Sequence, residues 1–342
     1  MVTGGTGYIG SWVVKDLLEK GYTVRLTVRN KTKIAGDDHL TKIAENTSGT
    51  LEIWEANLMK DGSFNEAAKG SDAIIHVASP FTLKVKDAQK ELIDPALEGT
   101  RNVLAAASLS ESVKRIVLTS SVAAVYGDNR DMSDSGLSEF TEEHFNYSSS
   151  LSHQPYSYSK LVAEKAAWEM HGLQDQWKLV VINPSFVMGP SLTQNSNSES
   201  LSFMNDMISG KFRMGVPHLE FSFVDVRDVA KAHVLALENE NTEGRHILAV
   251  QTLGVLQVAQ LIKNKFGNKY KLPTMQIPKF VLYLIGWMFG LNAKFINRNV
   301  GYSVNLNTSK SRNQLGLKYT KLAKTLEDMV LQMEEVKIKL KD

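Results

Sequence analysis

The chain has 342 residues, 43% of them apolar and 22% charged, enough for one large domain or two unequal ones around a substantial core. A formal charge of +2 gives no electrostatic case for nucleic acid as a partner. The absence of cysteine excludes disulfides, thiol catalysis and cysteine-ligated metals, and fits a reducing, cytoplasmic setting with no metal site expected.

In chain order, only Met1, Val2 and Thr3 precede the first turn, so the opening strand is either truncated or very short. The turn itself carries Gly4, Gly7 and Gly10 in the order G-x-x-G-x-x-G, with Thr6, Tyr8 and Ile9 among them. Residues 11–18 have apolar side chains at helical spacing, Gly21 stops that helix, and 22–28 reads as a strand. This is the turn, helix and strand of a dinucleotide-binding βαβ unit. Glycine lets the backbone turn tightly and approach a pyrophosphate, and the helix N-terminus offers free N–H groups with a partial positive charge.

Further strands are predicted at 51–56 and 73–78, with a short helix at 64–68 between them. A helix over 95–107, a strand over 113–121, a helix over 156–172 and a strand over 179–184 follow. Such alternation predicts a Rossmann-type α/β fold, a doubly wound parallel sheet covered by helices on both faces. Beyond Pro184 the pattern loosens. Residues 191–202 are rich in Ser and Asn, strands at 221–224 and 245–248 flank a helix over 228–238, and the chain is mostly helical from Gly254. The expected division is a nucleotide-binding domain from 1–185 plus 221–250, and a smaller, mostly helical substrate domain from 186–220 plus 251–342.

No cleavable signal peptide is visible, since the N-terminus runs directly into the glycine turn. The longest apolar run, 280–291, has twelve residues where a membrane span needs about 20. The expectation is a buried or subunit-contact helix in a monomer or homodimer with no transmembrane segment; attachment to a membrane surface is the alternative.

The chemistry-bearing pattern is Tyr156-Ser157-Tyr158-Ser159-Lys160, which follows Pro155, a residue suited to a first helical turn. Spacing of i, i+4 puts Tyr156 and Lys160 on one helix face, while Tyr158 faces elsewhere. A phenol of ordinary pKa about 10 becomes a useful acid–base group near neutrality only when a neighbouring charge such as Lys160 stabilises its phenolate. Ser121, at the end of a parallel strand where doubly wound sheets bind ligands, is the candidate to hold a carbonyl oxygen. Ser120 competes for that role, because adjacent strand residues face opposite ways.

With these residues in this order, the chain resembles the extended short-chain dehydrogenase/reductases. Within them it is similar to the dihydroflavonol reductase-like group, which includes cinnamoyl-CoA reductases and yeast-type methylglyoxal and ketone reductases. The resemblance runs from Thr3 to about Leu248. It rests on the glycine turn, Thr27-Val28-Arg29, His76-Val77-Ala78-Ser79-Pro80, Thr119-Ser120-Ser121, Tyr156-x-x-x-Lys160, residues 183–190 and residues 223–230. It implies Ser121 as polariser, Tyr156 as proton donor, and Lys160 as both the charge that lowers the tyrosine pKa and a ligand of the nicotinamide ribose.

The place where NAD enzymes present a carboxylate to the ribose 2′-OH holds Arg29, followed by Lys33, with no acid until Asp37. A cation there pairs with a 2′-phosphate, so NADPH is the expected cofactor. Asn57, with Leu58 beside it, falls where the relatives commonly have Asp near the adenine. Ala78, Ser79 and Pro80 are expected under the pyrophosphate, and Pro184 and Val187 near the nicotinamide. His76 is read as a core residue, Asp228 as the cap of its helix, and Asp225 and Arg227 as a pair with no chemistry.

The expected function is NADPH-dependent reduction of a small-molecule ketone or aldehyde to the alcohol. In flavonoid-reducing relatives an Asn five residues after the catalytic Ser contacts the substrate ring; Tyr126 stands there, which points to a hydrophobic ketone, aldehyde or β-keto ester instead. Tyr126 and Phe81, with Phe203, Met204, Met207, Phe212 and Phe221, are candidate pocket residues. The alternatives are a nucleotide-sugar epimerase or dehydratase of the same superfamily and a non-catalytic NADP(H)-sensing regulator.

Overall fold

The computed structural model describes residues 1–34, 39–79, 86–193 and 198–336; for Lys33, Met288, Phe289 and Val336 it describes the backbone alone. The strands are β1 (Val2–Thr3), β2 (Thr23–Val28), β3 (Thr50–Glu55), β4 (Ala73–His76), β5 (Arg115–Thr119) and β6 (Lys178–Pro184). They continue with β7 (Phe186–Met188), β8 (Val216–Pro217), β9 (Glu220–Asp225), β10 (Gly244–Leu248), β11 (Gln251–Gly254) and β12 (Gln276–Ile277). Seven of them form one all-parallel sheet in the order β3-β2-β1-β4-β5-β6-β10. The chain winds outward from β1 to β3, then returns to β4 on the other side of β1. That reversal opens a crevice beyond the carboxyl ends of β1 and β4, the place where doubly wound sheets bind ligands.

Two residues suffice for β1 because it is paired on both edges. Val2 lies between Leu26 and Ile75, and Thr3 between Thr27 and His76. Successive strand residues then alternate between two cores. Ile75, Val117, Val180 and Ile182 pack on one side, with Val13, Val14, Leu17 and Leu18 of α1 (Tyr8–Glu19). Ile74, Ile116, Leu118, Leu179 and Val181 pack on the other. Both faces are therefore apolar, which is why these strands read as continuous hydrophobic runs rather than alternating ones.

The remaining helices are α2 (His39–Glu45), α3 (Asn65–Ala68), α4 (Asp94–Ser108), α5 (Asp131–Asp134), α6 (Pro155–His171) and α7 (Glu199–Ile208). The C-terminal ones are α8 (Val226–Glu238), α9 (Val255–Phe266), α10 (Lys279–Ile285), α11 (Ala293–Asn299), α12 (Ser309–Gln314) and α13 (Leu322–Val336). Of the returning segment, β10 joins the large sheet, whereas β9 pairs with β7 and β11 in a separate three-stranded sheet. A third, two-stranded sheet joins β8 to β12.

Two expectations are corrected here. The cap of α8 is Asp225, whose side chain accepts the Arg227 N–H at 2.8 Å; Asp228 lies inside the first turn and accepts instead from Thr320. The apolar run at 280–291 is not a buried helix. Leu282 turns inward, onto Ile296 and Val300, and Leu291 packs partly against them, because α10 is seven residues long and gives way at Gly286 to a 3₁₀ turn. Phe280, Tyr283, Leu284 and Trp287 stand exposed.

Candidate active site

The glycine turn follows β1 into the crevice. Gly4 has φ +69° and lies so close to the strand-end backbone that a Cβ on it would sit 2.6 Å from the Ala78 nitrogen. A Cβ on Gly10 would meet the Gly4 oxygen at 2.2 Å, so the first turn of α1 crosses directly over the loop. Gly7 caps α1 with no side-chain hydrogen bond, and no acidic residue stands in the first turn. The free N–H groups and positive end of α1 are thus presented to an anion. Thr6 is exposed on this loop and Ile9 is partly buried. The Tyr8 hydroxyl donates to the Gly189 oxygen at 2.6 Å, tying the turn to the loop after β7.

On the floor, Thr3 Oγ1 accepts the Ala78 N–H at 3.1 Å and meets His76 Nδ1 at 2.7 Å. Burial and the Lys160 charge hold His76 down to about 3, so it remains neutral. Ser79 follows, partly buried; Pro80 and Phe81 lie outside the described residues. At the far corner Arg29 is exposed just after β2. The Glu55 carboxylate nearby accepts the Lys31 N–H at 3.3 Å, and the Lys33 side chain lies outside the description. Asn57 turns its Oδ1 onto the Met59 N–H at 3.0 Å, and the Leu58 oxygen accepts from Asn102 at 2.7 Å.

Ser121, Tyr156 and Lys160 come together beyond β5 and β6. Ser121 caps a short 3₁₀ turn, Val122–Ala124, by accepting the Ala123 N–H at 3.1 Å, which fixes its hydroxyl toward Tyr156, its hydrogen-bond partner. Lys160 Nζ lies 5.9 Å from the Tyr156 ring centre, one helical turn along α6. The surrounding protein pushes the Tyr156 phenol up to about 12, and the Ser121 hydrogen bond works against that rise. Burial pushes Lys160 down to about 8, opposed by the charge of Glu164. Ser120 does not meet Tyr156: its hydroxyl donates to Glu164 Oε2 at 2.5 Å. Pro184, at the end of β6, and Val187, in β7, are buried beside this strand end.

The sequence reading missed the groups behind this trio. Glu164 is fully buried, pairs with Arg245 at 2.6 Å, and accepts from Asn183 at 2.8 Å as well as from Ser120. Asn183 also donates to the Ser121 carbonyl at 3.1 Å. The signal was present: Tyr156, Lys160 and Glu164 recur at i, i+4 and i+8, one face of one helix. A second buried carboxylate, Asp128, accepts from His153, Gln154, Arg298 and Asn299. Burial raises the Asp128 carboxyl, and these hydrogen bonds outweigh it and hold it below the usual carboxylate range. Gln154 has φ +54°, a left-handed conformation immediately before α6.

Tyr126 stacks on Phe140 at 5.0 Å within a small cluster that includes Val122, Ile247 and Val304. Met204 and Met207 are fully buried in the main core. Phe203, Phe212 and Phe221 are partly buried; Phe203 and Phe221 pack on Phe186, and Phe212 on Phe203.

A glycine cradle at the switch point of a doubly wound sheet, with a Ser, Tyr and Lys gathered beyond the next strands, defines a nucleotide-dependent α/β protein. The family model described as "NAD dependent epimerase/dehydratase family" matches residues 1–250, and the chain belongs to that family, among the extended short-chain dehydrogenase/reductases. It is 36% identical over 339 residues to the cinnamoyl-CoA reductase CAD2 of Medicago truncatula, covering 98% of this chain and 95% of that protein. It is 32% identical to the dihydroflavonol 4-reductase of Gerbera hybrida over 80% of this chain and 74% of that one. Among solved structures, Gre2 of Candida albicans in complex with NADPH superposes with a TM-score of 0.79 at 33% identity, covering 98% of both chains. The yeast methylglyoxal/isovaleraldehyde reductase Gre2, also complexed with NADPH, gives a TM-score of 0.79 at 27% identity with the same coverage.

Proposed function

We propose that this protein is an NADPH-dependent reductase that converts a hydrophobic ketone or aldehyde to its alcohol. The observation that carries the reading is the hydrogen-bonded Ser121 and Tyr156 with Lys160 beside them, one strand away from an uncapped, acid-free helix N-terminus. The named relatives support the reductase class and the cofactor. NADPH, when bound, supplies the hydride that forms the new C–H bond.

The protein's part is binding and proton transfer. Ser121 Oγ holds the carbonyl oxygen, and Tyr156 Oη gives it the proton as the C=O π pair becomes an O–H bond. The Lys160 ammonium stabilises the resulting phenolate. Gly4, Thr6, Gly7, Tyr8, Ile9 and Gly10 cradle the pyrophosphate, with Ala78 and Ser79 below it. Pro184 and Val187 border the nicotinamide end, and Asn57 and Leu58 the adenine end. Tyr126 in place of an amide favours an apolar substrate over a flavonoid.

Arg29 assigns the cofactor, with Lys33 close by in sequence. Arg29→Asp is expected to raise the KM for NADPH by about tenfold or more, the loss of one charge-assisted phosphate contact, while leaving NADH use unchanged or improved. Equal losses with both cofactors in steady-state kinetics would remove Arg29 from the 2′-phosphate site.

A further inference from the structure

The exposed face of α10 has no counterpart elsewhere among the described residues. Phe280, Tyr283 and Leu284 recur at i, i+3 and i+4 on α10, Trp287 in the 3₁₀ turn that follows donates its Nε1–H to the Leu284 carbonyl at 3.1 Å and extends the stripe, and Phe280, Leu284 and Trp287 are 71%, 72% and 76% exposed. Met275, just before β12, is exposed on the approach to the same helix. Apart from Phe145, Tyr147 and Leu151, which share the loop before α6 and form no helix face, the other exposed apolar side chains are spread along the chain, which is ordinary for a protein surface. A large aromatic stripe left in water needs an occupant.

The charge around it says which. Residues 244–326 contain thirteen lysines and arginines and not one aspartate or glutamate, although the whole chain is nearly balanced at +2. Several of these cations are neutralised by acids from outside the segment: Arg245 by Glu164, Arg298 by Asp128, Lys265 by Glu327 and Lys269 by Glu334. Others in the segment are not. Lys271 and Lys294 are exposed and make no ion pair among the described residues, and Lys279, the first residue of α10, donates only to the Asn297 and Val300 carbonyls. A cavity of about 330 Å³ beside that first turn is lined by His218 and Lys279 and by no carboxylate.

A second copy of the chain meeting this face about a two-fold axis would set the same lysines against one another. An anionic surface would attract them. Trp, Tyr and Phe on one side and cations around the rim are the composition of a segment that lies in the interface of a bilayer, where aromatic rings sit at headgroup depth. None of the described helices is long and apolar enough to cross a membrane, so the contact is peripheral.

We infer that the α10 face, with Lys279 at its start and Lys294 on the adjoining α11, docks this protein on the surface of an anionic lipid bilayer. Docking does not involve Ser121, Tyr156 or Lys160 and holds whatever carbonyl compound the enzyme reduces. The test is co-sedimentation of the full chain with phosphatidylcholine vesicles, with and without phosphatidylserine. The protein is expected to pellet with the phosphatidylserine-containing vesicles, to stay largely in solution with phosphatidylcholine alone, and to be released by salt.

Phe280→Ser, Leu284→Ser and Trp287→Ser combined should abolish pelleting, while turnover of a water-soluble carbonyl stays at the wild-type level. Lys294→Gln, which leaves the apolar face intact, should weaken vesicle affinity by about fivefold. Equal pelleting with both vesicle types, or none with either, would overturn the inference. So would light scattering showing a wild-type dimer that Trp287→Ser splits, since the face would then be an interface between copies.

Discussion

Lys160 is the residue whose state decides what the site can do at a given pH. Burial brings its pKa to about 8, so the ammonium is present below that value and lost above it. Without it Tyr156, at about 12, has no charge to stabilise its phenolate. Carbonyl reduction is therefore expected to fall as pH rises through about 8. Glu164, the one charge opposing the fall in the Lys160 pKa, makes the assignment checkable. Glu164→Gln should move that descending limb to lower pH in a kcat/KM profile, and a limb that does not move would mean another group titrates. Tyr156 and Lys160 were legible because their spacing is local. Which serine meets Tyr156 was not, because it depends on Glu164, 44 residues from Ser120 in sequence but in contact with its hydroxyl.

At the scale of elements, the start of α6 is the part most worth testing. Pro155 fixes the first turn, yet the residue before it, Gln154, is left-handed, a conformation that costs a non-glycine residue about 1 kcal/mol. Its Nε2 is held by the Gly127 oxygen at 2.5 Å and by Asp128 at 2.6 Å, and Asp128 is itself anchored to Arg298 and Asn299 of α11. The start of α6 is thus aimed by a buried carboxylate on one loop and a short helix from the C-terminal region. Asp128→Ala removes the carboxylate that His153 meets and one of the three that Arg298 meets, the others being Asp131 and Asp134, and should cost about 3 kcal/mol in denaturant unfolding. It should also lower kcat more than it weakens NADPH binding, since the glycine cradle is on a different element. Unchanged stability and kcat would show that Gln154 is held by its backbone alone. Nothing local in residues 153–155 announces this network, because its members are 25 to 171 residues apart.

For the molecule as a whole, the alternating pattern of residues 1–185 made the parallel sheet readable: the central strands β4, β5 and β6 are apolar on both faces, and α1, α4 and α6 begin or end at a recognisable Gly, Pro or Asp. The C-terminal region was less readable, since short strands such as β8 and β12 gain their pairing only from tertiary contact. Buried histidines give the fold a pH signature. His76, His233 and His246 are pushed by burial to about 3, 4 and 4, against 6.5 in the open chain. Below pH 6.5 the unfolded chain takes up protons that the folded one refuses, so stability falls on acidification, by about 2 kcal/mol per histidine at pH 5. Asp16, raised by burial to about 6, works the other way by about 1 kcal/mol. The melting temperature should therefore drop by about 7 °C between pH 7 and pH 5, and equal melting temperatures would contradict the burial of these rings. The central claim, that Tyr156 protonates a carbonyl reduced with NADPH, is tested most directly by loss of NADPH absorbance over a panel of aldehydes, diketones and aryl ketones. The wild-type protein is expected to turn over apolar members of the panel, and Tyr156→Phe to lose at least a hundredfold in kcat with NADPH affinity nearly intact, roughly the contribution of a general acid. Wild-type turnover that survives Tyr156→Phe, or NADPH binding with no oxidation of it by any carbonyl, would contradict the claim.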